Sequence, residues 1–251
     1  METLGWSISF VGLGITALVL WRGVYAHIIG RFPFFYSYIG YGLGGTVAMF
    51  LVYGFRRNSY PYAYWLYFLL SIIVEFVVLV EISDHLFGPF PAIRQLGRLL
   101  TITISLGLGL VYILPAILHS RGGQSVLLGF ALRASLTKAA ILGALLLAAH
   151  HYGLRLGKNV AGLILGFSIY LGVNIANFAA DQFFYHLYDN VFWVMSPIAY
   201  TLCLAVWLIA LWDYVPVPGR GTISPVGGRD SEGVALELIR FNNELSKFLE
   251  K

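Results

Sequence analysis

Charged residues are scarce in this chain: Asp, Glu, Lys and Arg make up 11% of its 251 residues, and apolar residues make up 59%. Soluble globular domains are about a quarter charged, so composition excludes that class and leaves a polytopic membrane protein. Cysteine is scarcer still. A single Cys203, set in an apolar run, rules out a disulfide framework and a cysteine-rich metal centre, and it reads as a small buried hydrophobe. Catalytic signatures are missing as well: there is no Gly-x-Ser-x-Gly elbow, no phosphate-cradling Gly-Lys-Ser/Thr loop and no His-Glu-x-x-His helix. No lysine lies between Val191 and Trp212, which excludes a retinal Schiff base in the last apolar stretch. All six histidines fall near predicted helix ends, where paired haem ligation across a bilayer is not built. No internal repeat is evident, so a transporter assembled from duplicated halves has no basis in the sequence.

Basic residues also lack a stripe. The net charge of +4 is scattered singly or in pairs between apolar segments, so no nucleic-acid partner is expected and the charges read as topology signals.

What the chain has is length in its apolar runs. About 20 apolar residues span a bilayer core as a helix, and that window predicts seven helices. They run from Leu4 to Tyr25, Phe34 to Phe55, Tyr62 to Ile82, Leu99 to Leu118, Val126 to Ala149, Val160 to Ala180 and Val191 to Trp212. The first reads as a retained helix, because Glu2 precedes it and no basic n-region does. The fifth contains Arg133 and Lys138, so a six-helix count with that segment on the surface is the competing reading.

With the amino terminus outside, the cytoplasmic side carries Arg22, Arg31, Arg94, Arg98, Arg155, Lys158, Arg220 and Arg229. The opposite side carries Arg56, Arg57, Arg121, Arg133 and Lys138, a balance of 8 to 5 in favour of that orientation. The expected fold class is therefore all-α, a seven-transmembrane-helix bundle over 1–214. A flexible Pro/Gly-rich linker follows at 215–230, and an amphipathic cytoplasmic tail helix at 231–251, its seam Val234, Leu238, Phe241, Leu245 and Phe248.

Aromatic residues crowd the predicted ends, at Trp21 with Tyr25, Phe32 through Tyr38, Tyr60 through Tyr67 and Trp212 with Tyr214, and are expected to anchor in the headgroup layer. Gly40-x-x-x-Gly44 and Gly162-x-x-x-Gly166 are expected to be close-packing faces within the bundle, the same pattern being one that also builds dimers. Pro197 is expected to kink the seventh helix.

The third run, Tyr62 to His85, organises the rest, because it carries Glu75 inside the span. A carboxylate in hydrocarbon costs at least a few kcal/mol, so it demands a partner on a neighbouring helix. Counting 1.5 Å per residue puts Lys138 at the depth of Glu75. Tyr170, Asn174, Asn177 and Asp181 recur at steps of 4, 3 and 4 on one face of the sixth helix. Glu75, Arg133, Lys138, Tyr170, Asn174, Asn177 and Asp181 are therefore the candidate ligand-binding residues, in a polar cavity between the third, fifth and sixth helices. A second set, Glu81, Asp84 and His85 with His27, His150 and His151, has the chemistry of zinc or iron ligands converging from three helices.

Two stretches carry a resemblance. Arg31-Phe-Pro-Phe-Phe-Tyr36 and the segment from Glu75 to Arg98, which includes Val-Glu-Ile-Ser-Asp-His-Leu-Phe-Gly-Pro-Phe-Pro, resemble an uncharacterised family of bacterial seven-helix integral membrane proteins over roughly the first 100 residues. The layout is also similar to the seven-helix sensory regions of bacterial signalling proteins, without their kinase or cyclase module. The resemblance implies a bacterial cytoplasmic membrane and assigns no functional residue.

The function expected is a non-enzymatic, receptor-like membrane protein binding a small or lipid-like ligand. The lipid bilayer is one partner, and the tail helix engages a second copy or another protein. A metal-dependent membrane-embedded hydrolase and a structural or accessory subunit of a membrane complex are the alternatives. No cofactor is named by the sequence.

Overall fold

A computed structural model describes residues 2–88, 90–108, 111, 123–151, 154, 156–184, 189–215, 239–240 and 242–246, with side chains for all of these except 2–6, 105, 108, 123–128, 181–184 and 189–194. Among these residues the chain is all-helical. The long helices are α1 (Glu2–Tyr25), α2 (Pro33–Phe55), α3 (Tyr60–Leu86), α4 (Pro91–Leu108), α5 (Gly123–His151), α6 (Lys158–Phe184) and α7 (Asp189–Ala210), with a 3-10 turn at Arg57–Ser59 before α3. Among the described residues five stretches are long and apolar enough to cross a membrane: Ser7–Tyr25, Pro33–Phe55, Arg57–Leu86, Gly129–His151 and Lys158–Ala180. The described side chains of α7, Met195–Ala210, continue the apolar character.

Local sequence sets several of the boundaries. Prolines stand in the first turns of α2, α3 and α4, at Pro33, Pro61 and Pro91, where a missing N–H costs nothing and the fixed φ favours the helix. The end of α1 is a Schellman closure, in which Ile28 N–H donates to Gly23 O at 3.0 Å and His27 N–H to Val24 O at 3.1 Å. This places His27 at φ 55, a position that glycine usually takes. Its companion in the motif, Ile28, is buried as the hydrophobic contact.

One expected helix boundary moves, and one competing reading falls away. The fourth helix starts at Pro91 and not at Leu99, so Arg94 and Arg98 are helical residues; a proline that can open a helix outranked the hydropathy window. The Arg133 and Lys138 segment is not a surface helix. It lies in the middle of a continuous α5 that packs against both α3 and α6.

The helices form a circuit in which α1 touches α2, α2 touches α3, α3 touches α5, α5 touches α6, and α6 packs on α7, which returns to α1. Helix α3 also reaches α6 across the middle, and α4 lies against α3. One half of this bundle is closed. At the end where α1 finishes, Trp207, Phe35, Phe167, Leu163, Leu79 and Ile82 are fully buried. The Trp207 ring meets Phe35 and Phe167 at centroid distances of 5.1 Å each.

Gly162 and Gly166 make that closure work, since a Cβ at Gly166 would overlap the Trp207 indole and one at Gly162 would overlap Ala210. The same expectation fails for α2: a Cβ at Gly40 or Gly44 would meet nothing within 4 Å among the described residues. The glycines of α2 that accept a neighbour are Gly45, under the Tyr67 ring, and Gly42, facing Tyr200. Spacing alone does not say which small residues face a large one.

Polar clamps tie the same end. Arg22 of α1 donates to Trp212 O at 2.7 Å and pairs with Asp213 at 3.0 Å, while its guanidinium lies 4.9 Å from the Trp212 ring centroid. Asn159 of α6 donates to Ala210 O and Asp213 O, and accepts from Val215 N–H. A single asparagine thus satisfies the frayed carboxyl terminus of α7.

Candidate functional site

The other half of the bundle, toward the amino terminus of α1, is open. A cavity of 440 Å³ is lined by residues of α1, α2, α3, α5, α6 and α7, within the size range of small-molecule sites. On α1 its lining falls between Ser9 and Thr16, and on α3 between Tyr64 and Glu75. It therefore runs from one end of the bundle to mid-depth, and the aromatic plug around Trp207 lies below it.

Its floor is ionic. Lys138 Nζ of α5 donates to Glu75 Oε2 of α3, and Tyr170 Oη of α6 donates to Glu75 Oε1 at 3.1 Å. Both charged residues are 3% exposed. Three helices are thus joined through one carboxylate. A buried carboxylate with a cation on one oxygen and a hydroxyl donor on the other is fixed in rotamer, since turning away would forfeit both charge-assisted contacts at once. The ammonium also stands 5.9 Å from the centroid of the Phe76 ring.

Among the expected site residues, Glu75, Lys138, Tyr170 and Asn174 line this one cavity. Asn177, one turn beyond Asn174, is buried and donates to Ser196 Oγ of α7 at 2.9 Å, so it belongs to the α6–α7 contact. Arg133 is exposed on α5 and is not one of the cavity residues. The Asp181 side chain lies outside the described residues.

Tyrosine is what the sequence reading missed. Tyr38, Tyr41, Tyr64, Tyr67 and Tyr200 join Tyr170 around the cavity. Most of them were expected as headgroup anchors, an assignment for which Tyr62 is free to serve, being 81% exposed. It fails at the start of α2, where Phe32, Phe35, Tyr36 and Tyr38 are all buried. A signal was present: Tyr38 and Tyr41, and Tyr64 and Tyr67, are each three apart and so share a helix face. Tyr41 and Tyr67 stack at 5.0 Å, and Tyr41 Oη donates to Tyr67 O. Tyr170 meets Tyr200 edge-on at 6.3 Å.

The second expected constellation is structural where it is described. Glu81 turns both oxygens to the start of α2, accepting from Phe34 N–H at 3.0 Å and Phe35 N–H at 2.7 Å. Phe32, at the cap position, has no side chain to do this, so a carboxylate from α3 caps α2 across the tertiary structure. Asp84 lies 3.8 Å from Arg94 of α4, and His85 Nδ1 bonds to Glu81 O while its ring stacks on Phe32 at 4.6 Å. Among the described residues no three His, Cys, Asp or Glu side chains converge as metal ligands do.

The tail enters at the same end. Residues 239–240 and 242–246 are helical, and Asn242 Oδ1 accepts from Ala92 N–H at 3.0 Å, at the first turn of α4. Leu245 is half-buried; Val234, Leu238, Phe241 and Phe248 lie outside the described residues, as do 216–230 of the expected linker.

Comparison with known protein families, with characterised proteins and with solved structures gives no significant match.

Proposed function

We propose that this chain is a receptor-like, non-enzymatic protein of a bacterial cytoplasmic membrane, in which seven spans enclose an outward-facing cavity that binds a small ligand. The observation that carries the reading is the Glu75–Lys138–Tyr170 network at the floor of a 440 Å³ cavity. Buried ion pairs are expensive and add little stability over apolar packing, so a pair placed where a ligand can reach it is better explained by use than by folding.

Orientation follows the basic residues. Lys138 is buried against Glu75 and does not snorkel outward, so the balance of the earlier count moves from 8 to 5 toward 8 to 4 and favours an outside amino terminus.

Helix α3 is the route by which occupancy reaches the cytoplasmic end. It carries Glu75 in the cavity floor, Glu81 on the start of α2 and Asp84 beside Arg94 of α4, whose first turn meets Asn242 of the tail. A ligand that displaces α3 by binding at Glu75 changes all three contacts at once, and the tail helix delivers that change to a partner protein.

The test uses cysteine accessibility. Cys203 is buried, so a Cys203→Ala background is free of thiols. Ser7→Cys, exposed near the amino terminus of α1, should react with a membrane-impermeant maleimide added outside intact cells and Ser231→Cys should not, while Ser135→Cys, on the cavity wall beside Lys138, reports occupancy. Labelling of position 231 alone would overturn the orientation. Protection of Ser135→Cys in membranes, reversed by detergent extraction and washing, is the result expected for a bound occupant. No protection, together with a density map of gently purified protein showing the cavity empty, would overturn the binding reading.

A further inference from the structure

We infer that the cavity ligand is an organic ammonium ion, whose cationic head seats against Glu75 between two tyrosine pairs; this rests on the reading of the cavity as a binding site. Glu75 and Lys138 are the only charged side chains among the described cavity residues, and they neutralise one another. The choice of ligand charge then turns on what else the walls supply.

The one cation among the described cavity residues, Lys138, is already committed to Glu75, so an anion would have only neutral hydroxyl and amide donors to meet it. Drawing the Lys138 ammonium toward it would strip Glu75 of its counter-ion and leave a buried carboxylate facing a second negative charge, the costliest arrangement available. A neutral ligand leaves the pair undisturbed but gains nothing from it.

A cation gains twice. Aromatic faces carry negative potential, and four tyrosines of the cavity lining, Tyr41 stacked on Tyr67 and Tyr170 at 66° to Tyr200, stand around the same space as Glu75. Among the described residues the Oε1 side of Glu75 is held by the Tyr170 hydroxyl, a neutral donor that can rotate away, whereas Oε2 keeps Lys138. A second ammonium can therefore approach one oxygen without breaking the ion pair on the other. The protein already uses the same physics at the site, where the Lys138 ammonium rests 5.9 Å from the Phe76 ring centroid. Quaternary and alkylated ammonium groups suit this setting best, because they are weakly hydrated and lose least on leaving water.

The experiment compares three probes of one shape on the detergent-solubilised full chain by titration calorimetry: choline, its uncharged carbon analogue 3,3-dimethylbutan-1-ol, and the anion 3,3-dimethylbutanoate. Choline should bind at least about tenfold tighter than the alcohol, and the anion weakest of the three. Tyr67→Phe keeps the ring face and should keep the preference, whereas Tyr67→Leu should erase it; Glu75→Gln should reduce it. If Glu75→Gln fails to fold, the two Tyr67 variants still decide.

Equal binding of choline and the alcohol, both lost when Ser135→Trp fills the cavity, would overturn the ligand class while leaving the cavity reading intact. Tightest binding of the anion would overturn it too, as would no binding by any of the three when Ser135→Cys is nonetheless protected in membranes.

Discussion

Lys138 and Glu75 lie 63 residues apart in sequence and meet as a buried ion pair between α5 and α3. Each is nearly inaccessible, so neither can be exchanged for an apolar residue alone without leaving its partner charged and dry. Glu75→Leu and Lys138→Leu should each destabilise the detergent-solubilised protein by about 3–5 kcal/mol, the usual cost of orphaning a buried charge. The double substitution should recover most of that loss, leaving a coupling of at least about 2 kcal/mol in a thermal-unfolding cycle. Additive single effects would show that the pair does not act as a unit. Because the coupled double variant restores folding without the charges, it also separates stability from ligand binding, which should stay lost.

Glycine at α6 and glycine at α2 make opposite predictions from the same spacing. Gly166→Ala pushes a methyl into the Trp207 indole, which is itself fully buried and bonded to Leu163 O at 3.2 Å. Overpacking of this sort costs about 1–3 kcal/mol, and the melting temperature should fall accordingly. Gly40→Ala with Gly44→Ala adds methyls to open space and should leave it unchanged or raised. A fall for the α2 pair, accompanied by a loss of higher-mass species in native mass spectrometry, would show that α2 packs on a second copy.

Glu81 is a cap in trans, and its removal should be local in effect. Substitution by Leu leaves Phe34 and Phe35 N–H without an acceptor where Phe32 supplies none, and hydrogen bonds to a charged acceptor are worth about 1.5–3 kcal/mol each. Hydrogen exchange should rise over the first turn of α2 well before it rises in α6. Glu81→Gln, which retains one accepting oxygen, should recover part of the protection. Addition of zinc should change neither result if capping is the role of this carboxylate, and zinc-dependent protection of α2 would return Glu81 to the metal reading.

How much of this was legible in sequence depended on whether one physical requirement had one solution. Glu75 needed a cation at its own depth, and rise per residue put Lys138 there, so the pair could be read before any coordinates. Tyrosine had several solutions: a ring at a helix end serves as an anchor, a core residue or a cavity wall, and only packing separates Tyr62 from Tyr38. Glu81 and His85 share a helix face, as metal ligands do, but a carboxylate that caps a neighbouring helix shares it equally well. The clue was in α2, which opens with Phe32-Pro33 and no Ser, Thr, Asp or Asn at the cap, and so needed an acceptor from elsewhere. The start of α4 was hidden for a different reason. Arg94 and Arg98 lowered its hydropathy, although Pro91 marked the turn from which the helix begins.

The contact between Asn242 and Ala92 decides where the tail docks. Ala92 is in the first turn of α4, where backbone N–H groups have no partner within the helix. An asparagine oxygen arriving from 150 residues away satisfies that of Ala92, and Leu245, one turn further along the tail, is half-buried on the way. By contrast, Arg240 and Glu244 pair on the solvent side with side chains 82% and 63% exposed. Loss of a capping asparagine costs about 1 kcal/mol, roughly a fivefold change in an opening equilibrium, whereas an exposed i,i+4 pair contributes a few tenths at most. Asn242→Ala should therefore speed hydrogen exchange of residues 239–246 and of the first turn of α4 together, and Arg240→Ala should speed neither. The wild-type tail should exchange more slowly in the intact protein than in a synthetic 231–251 peptide. Equal exchange in peptide and protein would remove the bundle as the docking surface. Protection that survives Asn242→Ala would move the anchor from this hydrogen bond to the apolar seam around Leu245.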